Sequence, residues 1–68
     1  MYQKHLSRQG HTRRFEIHER GGAWEVETIE DSRIIRKARY DDWHRVERAL
    51  MTFKLEVVSL EQAGWVPD

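Results

Sequence analysis

The sequence predicts an α+β fold: a three- or four-stranded antiparallel β-meander, followed by one long C-terminal amphipathic helix packed on the sheet. Between residues 13 and 40 apolar and polar residues alternate, which is the period of half-buried strands. From residue 41 onward apolar residues recur every three or four positions, which is the period of a helix. The 68 residues have room for a single domain.

The clearest strands are the two that flank Gly21-Gly22. This dipeptide closes two-residue hairpins, because glycine reaches positive φ without strain. A two-residue loop sets Ile17 opposite Val26 and Phe15 opposite Thr28, so the apolar residues of both strands share one face. We therefore expect a β-hairpin whose apolar face turns toward the core.

Residues 33–40 are predicted to form a third strand. We expect an odd-length loop before it, because a two-residue loop would turn Lys37 and Arg39 toward the core, where two charges are costly to bury. The inward-facing set is then Ile34, Arg36, Ala38 and Tyr40.

Residues 1–12 are polar and permit two interpretations. They form either a mobile arm or a short edge strand from Tyr2 to Leu6 that turns at Gln9-Gly10. The polar composition favours the arm, and the strand remains the alternative.

The helix is predicted to run from about Asp42 to Ala63, within residues 41–64. Asp41 is the expected N-cap, since aspartate favours that position and its charge suits the start of a helix. Gly64 occupies the position expected for the glycine that ends a helix. Residues 65–68 are left as a tail.

The helix carries more apolar surface than one sheet can cover. About 22 residues span roughly 33 Å, whereas strands of seven or eight residues span roughly 25 Å. The main apolar stripe consists of Trp43, Val46, Leu50, Phe53, Val57 and Leu60, and a second group lies about 100° away around the helix. We predict a homodimer, the commonest closed assembly, with this second group at its interface. The group consists of Met51, Leu55, Val58 and Trp65.

Two alternatives to the homodimer remain open. The sheet could curl around the helix and cover both apolar groups. The second group could also consist of ordinary surface residues, because single exposed apolar side chains are common on folded proteins.

The composition excludes several classes of function. There is no cysteine, so disulfides, thiolate zinc sites and cysteine nucleophiles are excluded. No apolar run approaches the about 20 residues that a membrane span needs. No apolar stretch follows the first residues, so we expect no signal peptide, no membrane partner and a cytoplasmic location.

Neither a cofactor nor catalysis is expected. His5, His11, His18 and His44 follow no compact metal-binding spacing and are interpreted as surface residues. Asp41, Asp42 and His44 are close in sequence, but a general base needs a cleft that shifts its pKa, and so small a domain has little room for one. We expect a protein that is not an enzyme.

Nucleic-acid binding is one candidate function. Residues 1–40 carry nine Lys/Arg against six Asp/Glu, and the basic residues include Arg14, Arg36, Lys37 and Arg39, which we take as the candidate contacts. With a strand at residues 2–6, the order ββββα resembles that of the helix-dimerised single-stranded-DNA-binding domains of the Whirly type. Against this function, Glu25 and Glu27 are expected beside Lys37 and Arg39, which makes the outer surface zwitterionic.

Protein binding is the favoured function. A small dimer with a mixed-charge sheet and an exposed edge strand suits an adaptor, because edge strands offer free backbone groups to a partner chain. The sequence thus predicts a non-catalytic homodimeric adaptor with a protein partner, and single-stranded nucleic acid as the alternative ligand.

Overall fold

The computed structural model describes every residue from Met1 to Asp68. It contains an antiparallel sheet in the order β4-β3-β2-β1-β5 and one helix that covers a single face of that sheet. The elements are β1 (Tyr2–Arg8), β2 (His11–Arg20), β3 (Ala23–Glu30), β4 (Arg33–Tyr40), α1 (Trp43–Gln62) and β5 (Val66–Pro67).

The predicted α+β class is confirmed, but the sheet has five strands and not three or four. Residues 2–8 form β1 and not a mobile arm, because they pair residue for residue with β2 and because Leu6 is wholly buried in the core. The expected tail contributes the fifth strand, since Val66 and Pro67 pair with β1.

Each of the three hairpins has a two-residue loop with positive φ at both positions. The loops are Gln9-Gly10, Gly21-Gly22 and Asp31-Ser32, and their φ values lie between 51° and 82°. This conformation matches the right-handed twist of the flanking strands. The predicted register of β2 and β3 is confirmed, with Ile17 opposite Val26.

A β-bulge determines which face of the sheet each β4 side chain occupies. The loop before β4 has two residues, and the expectation of an odd number is wrong. The pairing on β4 passes directly from Arg36 to Ile34 and skips Ile35, so the bulge supplies the extra residue that the loop lacks.

The bulge places the β4 side chains on two different surfaces. Lys37 and Arg39 lie on the outer face, the side of the sheet away from α1, opposite Glu27 and Glu25 as expected. Ile34 was expected to face inward, but its side chain is 53% exposed, because the bulge reverses its parity.

Both ends of α1 are capped by hydrogen bonds. Asp42, and not the expected Asp41, is the N-cap, because its carboxylate accepts a 3.0 Å hydrogen bond from the His44 amide. At the other end Gly64 has a φ of 99° and the Trp65 amide donates to the Leu60 carbonyl, which together form a Schellman motif. The predicted extent of the helix is confirmed to within a residue at each end.

The core lies between α1 and the inner face of the sheet. The rings of Phe15 and Phe53 meet at its centre with their centroids 5.0 Å apart. The buried cluster consists of Leu6, Phe15, Ile17, Val26, Val46, Phe53 and Val57. No helix of the protein combines the length and the apolar character that crossing a membrane requires.

Candidate functional site

A groove of about 460 Å³ lies between β4 and α1. On the helix, Arg45, Ala49 and Thr52 recur at spacings of three and four and so face β4 together. Small side chains at Ala38 and Ala49 leave the space open between strand and helix. The lining consists of Val26, Arg36, Ala38, Tyr40, Arg45, Arg48, Ala49, Thr52 and Phe53.

The groove has an apolar floor and a cationic rim. Arg36 on β4 and Arg45 and Arg48 on α1 supply three guanidinium groups. Among them Arg36 has a carboxylate partner, Glu56, at 3.5 Å, whereas Arg45 and Arg48 form no salt bridge. Three positive groups beside one negative group attract anions, and the planar guanidinium binds carboxylates and phosphates in bidentate geometry.

The strand that forms one wall of this groove is also an edge of the sheet. β4 pairs with β3 on one side and with no strand on the other. Because hydrogen-bonding groups alternate in direction along an antiparallel strand, every second residue of β4 points its N–H and C=O away from the sheet. The groove and a free backbone edge are therefore adjacent.

The four basic residues proposed from the sequence fall on two surfaces. Arg36 lies at the groove, whereas Arg14, Lys37 and Arg39 lie on the outer face. Each of these three contacts a carboxylate: Arg14 contacts Glu16, Lys37 lies 3.5 Å from Glu27, and Arg39 lies 3.4 Å from Glu25. The four residues do not form one cationic patch.

The carboxylates of the outer face are shielded by the longer side chains around them. The Glu25 side chain is only 8% exposed, with His18 Nε2 at 3.0 Å and an Arg20 nitrogen at 3.7 Å. The hydrogen bond from His18 is the largest cause that lowers the pKa of Glu25, and Lys37 and Arg20 lower it further against the opposing effect of burial. The outer face thus balances its own charges.

Glu16 is held in the same way on the neighbouring strand. Burial raises the pKa of its carboxyl group, but hydrogen bonds from Gln3 and Arg14 and the charge of Arg14 outweigh burial and lower the pKa overall. Glu16 is therefore ionised and paired at neutral pH.

One set of side chains on the outer face has the composition of a metal site. Ligand atoms of Glu16, His18 and Glu27 all lie within 4.8 Å of one another. Each ligand already has a partner in the protein, since Arg14 contacts Glu16, Glu25 contacts His18 and Lys37 contacts Glu27. A cation here would have to displace these contacts and meet the charge of Arg14 and Lys37.

The residues considered for acid–base chemistry lie at the start of α1. Asp42 caps the helix, and His44 is 87% exposed with its Nδ1 atom 3.4 Å from Glu47. Asp41 is exposed as well. None of the three lines the groove between β4 and α1.

The second apolar group of the helix divides in the structure. Met51 and Leu55 are each 67% exposed and Val58 is 50% exposed, so the sheet does not cover them. Trp65 instead packs against the core, and the Arg13 guanidinium lies 5.7 Å from the centre of its ring. Three of the four residues proposed for the dimer interface therefore form an exposed surface on α1.

The sequence did not point to the groove itself. Arg45 and Arg48 stood out by no motif, and Tyr40 was expected simply to face inward. Arg45 and Thr52 are seven residues apart, a spacing that predicts they share one side of the helix. Which side meets β4 depends on how the helix docks, and that is a property of the folded core.

Comparison of the chain with protein-family models, curated proteins and solved structures found no match. Function is therefore inferred from three features: the groove, the open edge of β4 and the exposed apolar surface of α1.

Proposed function

We propose that this chain is a non-catalytic homodimeric adaptor domain that binds another protein at the groove between β4 and α1. The observation that carries the proposal is the groove's composition, an apolar floor around Ala38 and Phe53 below a rim of arginines and Tyr40. Tyrosine and arginine are enriched at protein interfaces, where apolar contact supplies affinity and polar groups supply specificity.

The exposed apolar side chains of α1 support self-association. Met51, Leu55 and Val58 follow one another at spacings of four and three, so they form one continuous stripe on the helix. A stripe of this spacing packs against a copy of itself in the manner of a short coiled coil.

The charges beside the stripe favour an antiparallel pairing. If Leu55 of each copy packs against Val58 of the other, Lys54 of each copy comes beside Glu61 of the other. The two-fold axis thus brings opposite charges together on the flank of the interface. Trp65 lies outside this arrangement because it packs against the core.

The homodimer is tested by sedimentation at micromolar concentration. We expect Met51→Glu with Val58→Glu to give a folded monomer, because four buried carboxylates would repel one another across the axis. The matched control is Ile34→Glu with Ile35→Glu, which replaces two apolar residues of similar exposure on β4 and should leave the dimer intact. A wild-type protein that sediments as a monomer contradicts the proposal.

Protein binding is tested by recovery of partners from a cell lysate with and without nuclease. We expect the recovered protein to survive nuclease digestion and to be lost with Arg36→Glu combined with Arg48→Glu. Arg8→Glu, at an exposed residue of β1 that β2 and β3 separate from β4, is the control and should retain the partner. Loss on nuclease treatment, or equal loss with the control, contradicts the adaptor function.

Single-stranded nucleic acid is the alternative ligand. The specific observation in its favour is Tyr40 among three arginines, since such binders combine a cationic groove with an aromatic surface on which bases stack. The paired charges of the outer face weigh against it. Titration of fluorescent single-stranded DNA at two salt concentrations decides: tight binding that weakens steeply with salt supports the alternative, and no binding at low salt removes it.

A further inference from the structure

We propose that β4 accepts an extended acidic segment of the partner as an additional strand, with its carboxylates on the arginine rim of the groove. This inference rests on the proposed adaptor function and specifies the chemistry and the binding mode of the partner. Strand addition gives affinity through main-chain hydrogen bonds, and neighbouring pockets give specificity through alternate side chains.

The position of the groove suits a strand beside β4. Arg36, Ala38 and Tyr40 are alternate residues of β4 and all three line the groove. An added strand lies about 4.8 Å farther out, so its own alternate side chains fall beside these three residues. Arg45 and Arg48 on α1 line the same space. Every second side chain of the partner would therefore enter a cationic, partly apolar site.

The regular part of β4 is long enough to hold such a strand. The bulge at Ile35 interrupts the ladder near the start of β4. From Arg36 to Tyr40 the pairing with β3 is regular over five residues, which span about 17 Å. We expect main-chain pairing over this stretch.

The charge of β4 indicates which kind of strand can pair with it. β4 contains four basic residues, Arg33, Arg36, Lys37 and Arg39, and no acidic residue. Pairing of β4 with the same strand of a second copy would set like charges opposite one another, which destabilises an antiparallel pair. Acidic side chains on the groove side of an added strand meet Arg36, Arg45 and Arg48 and relieve the excess positive charge of the groove. The fit is therefore to an acidic segment of another protein and not to a second copy.

The test uses the full chain and a nine-residue fluorescein-labelled peptide of alternating glutamate and valine, with binding measured by anisotropy. We expect saturable binding, and we expect Arg36→Glu combined with Arg48→Glu to weaken it at least tenfold. Arg8→Glu should bind as the wild type does. A peptide with lysine in place of glutamate should not bind, because it would add positive charge to the rim.

Strand addition is separated from simple charge attraction by a peptide with proline in place of the central valine. Proline removes a main-chain donor and does not fit a paired strand, while the peptide keeps its charge. We expect roughly tenfold or greater loss of affinity. Equal binding of the proline peptide would falsify strand addition and leave the adaptor function, tested by partner recovery, untouched.

The location of the peptide is read from amide chemical shifts in the ¹⁵N-labelled protein. The largest changes are expected over residues 36–40 of β4. Changes confined to β1 and β5 overturn the proposal. Displacement of the peptide by single-stranded DNA at equal affinity, with insensitivity to the central proline, also overturns it and supports nucleic acid as the ligand.

Discussion

The two edges of the sheet differ, because the chain covers β1 with a further strand and leaves β4 open. At the β1 edge the chain returns after α1, and Val66 and Pro67 pair with Ser7 and Leu6. At the β4 edge no segment returns, and the strand is left with a bulge and four basic residues. Proline, bulges and charges all discourage unwanted strand pairing. The comparison shows that one edge is covered by the chain itself, while the other is protected mainly by charge, which an acidic partner can neutralise.

The covered edge depends on how the chain leaves the helix. Gly64 turns the chain at a φ of 99°, and Trp65 then packs against the core beneath the Arg13 guanidinium. Beyond it, the Asp68 amide donates to the His5 carbonyl at 3.0 Å. The packing of Trp65 and the hydrogen bonds to β1 thus hold β5 in place, and Trp65 is the side chain that ties it to the core.

Trp65→Ala is expected to produce the largest effect. It removes the anchor of β5, so the free energy of unfolding should fall by about 2 kcal/mol, less than for a fully buried tryptophan because Trp65 is partly exposed. Urea denaturation measures the change. The released β1 edge should also increase association at high protein concentration, which light scattering detects.

Val66→Thr is the control for Trp65→Ala. Val66 is 56% exposed and contributes mainly through its backbone, so this change should alter stability by less than about 0.5 kcal/mol. Equal stability of Trp65→Ala and wild type would show that β5 is held by its hydrogen bonds alone.

Ser32→Gly is expected to have the next largest effect, and it acts at the open edge. Ser32 enters β4 with a φ of 67°, a left-handed conformation that costs about 1 kcal/mol or more for a residue with a Cβ atom. Glycine removes this strain, and the protein should be stabilised by up to about 1 kcal/mol, offset in part by the greater freedom of glycine in the unfolded chain. Thermal unfolding should show a higher Tm.

The neighbouring residue provides the contrast. Asp31 has a φ of 51°, but its carboxylate accepts a 2.9 Å hydrogen bond from the Thr12 amide and lies 3.1 Å from His11 Nδ1. Asp31→Gly should therefore fail to stabilise the protein, because it loses these contacts. If Ser32→Gly is also neutral, strain in this turn does not limit stability.

The contrast between the edges could be predicted from the sequence only in part. Alternation and the Gly-Gly loop sufficed for the register of β2 and β3, and helical spacing with Gly64 sufficed for the extent of α1. Residues 1–12 were ambiguous, because the strand there contributes just Leu6 as a wholly buried residue. The pairing of Val66 and Pro67 has no periodic signal, since two residues cannot show a period.

The candidate site is harder to predict from the sequence than the fold is. The bulge at Ile35 is not encoded by a glycine or another local marker, so Arg36 could be assigned to the inner face but not to a groove. Trp65 belongs to the second apolar group only if helical periodicity continues past Gly64, where the chain in fact turns back toward β1. The angle at which a helix docks and the point at which the chain reverses depend on tertiary packing, and the periodicity of the sequence gives no information about either.

We expect acid to weaken the pairing of β4, at the open edge, before the pairing of β1, at the covered edge. The effect should be smaller than that of Trp65→Ala or Ser32→Gly, because the ion pairs beside β4 are partly open to solvent. The pKa of Glu25 is lowered chiefly by the hydrogen bond from His18 and further by the charge of Lys37 on β4. The pKa of Asp31, in the loop before β4, is lowered chiefly by the bond from the Thr12 amide. A carboxyl group whose pKa is lower in the folded state stabilises the fold above its unfolded pKa. That contribution is lost as the pH falls through the folded-state value.

Hydrogen exchange between pH 6 and pH 3 tests this expectation. As the pH falls below about 4.5, the unperturbed pKa of glutamate, protection of the β4 amides that bond to β3 should decline more than protection in β1. At the β1 edge protonation of Glu16 weakens its hydrogen bond from Gln3, but the packing of Leu6 and Trp65 does not titrate and keeps β1 in place. Glu25→Gln should remove part of the pH dependence in β4. If β1 and β4 lose protection together, charge does not hold β4 in place. The two edges then differ only in that β5 covers β1 and no strand covers β4.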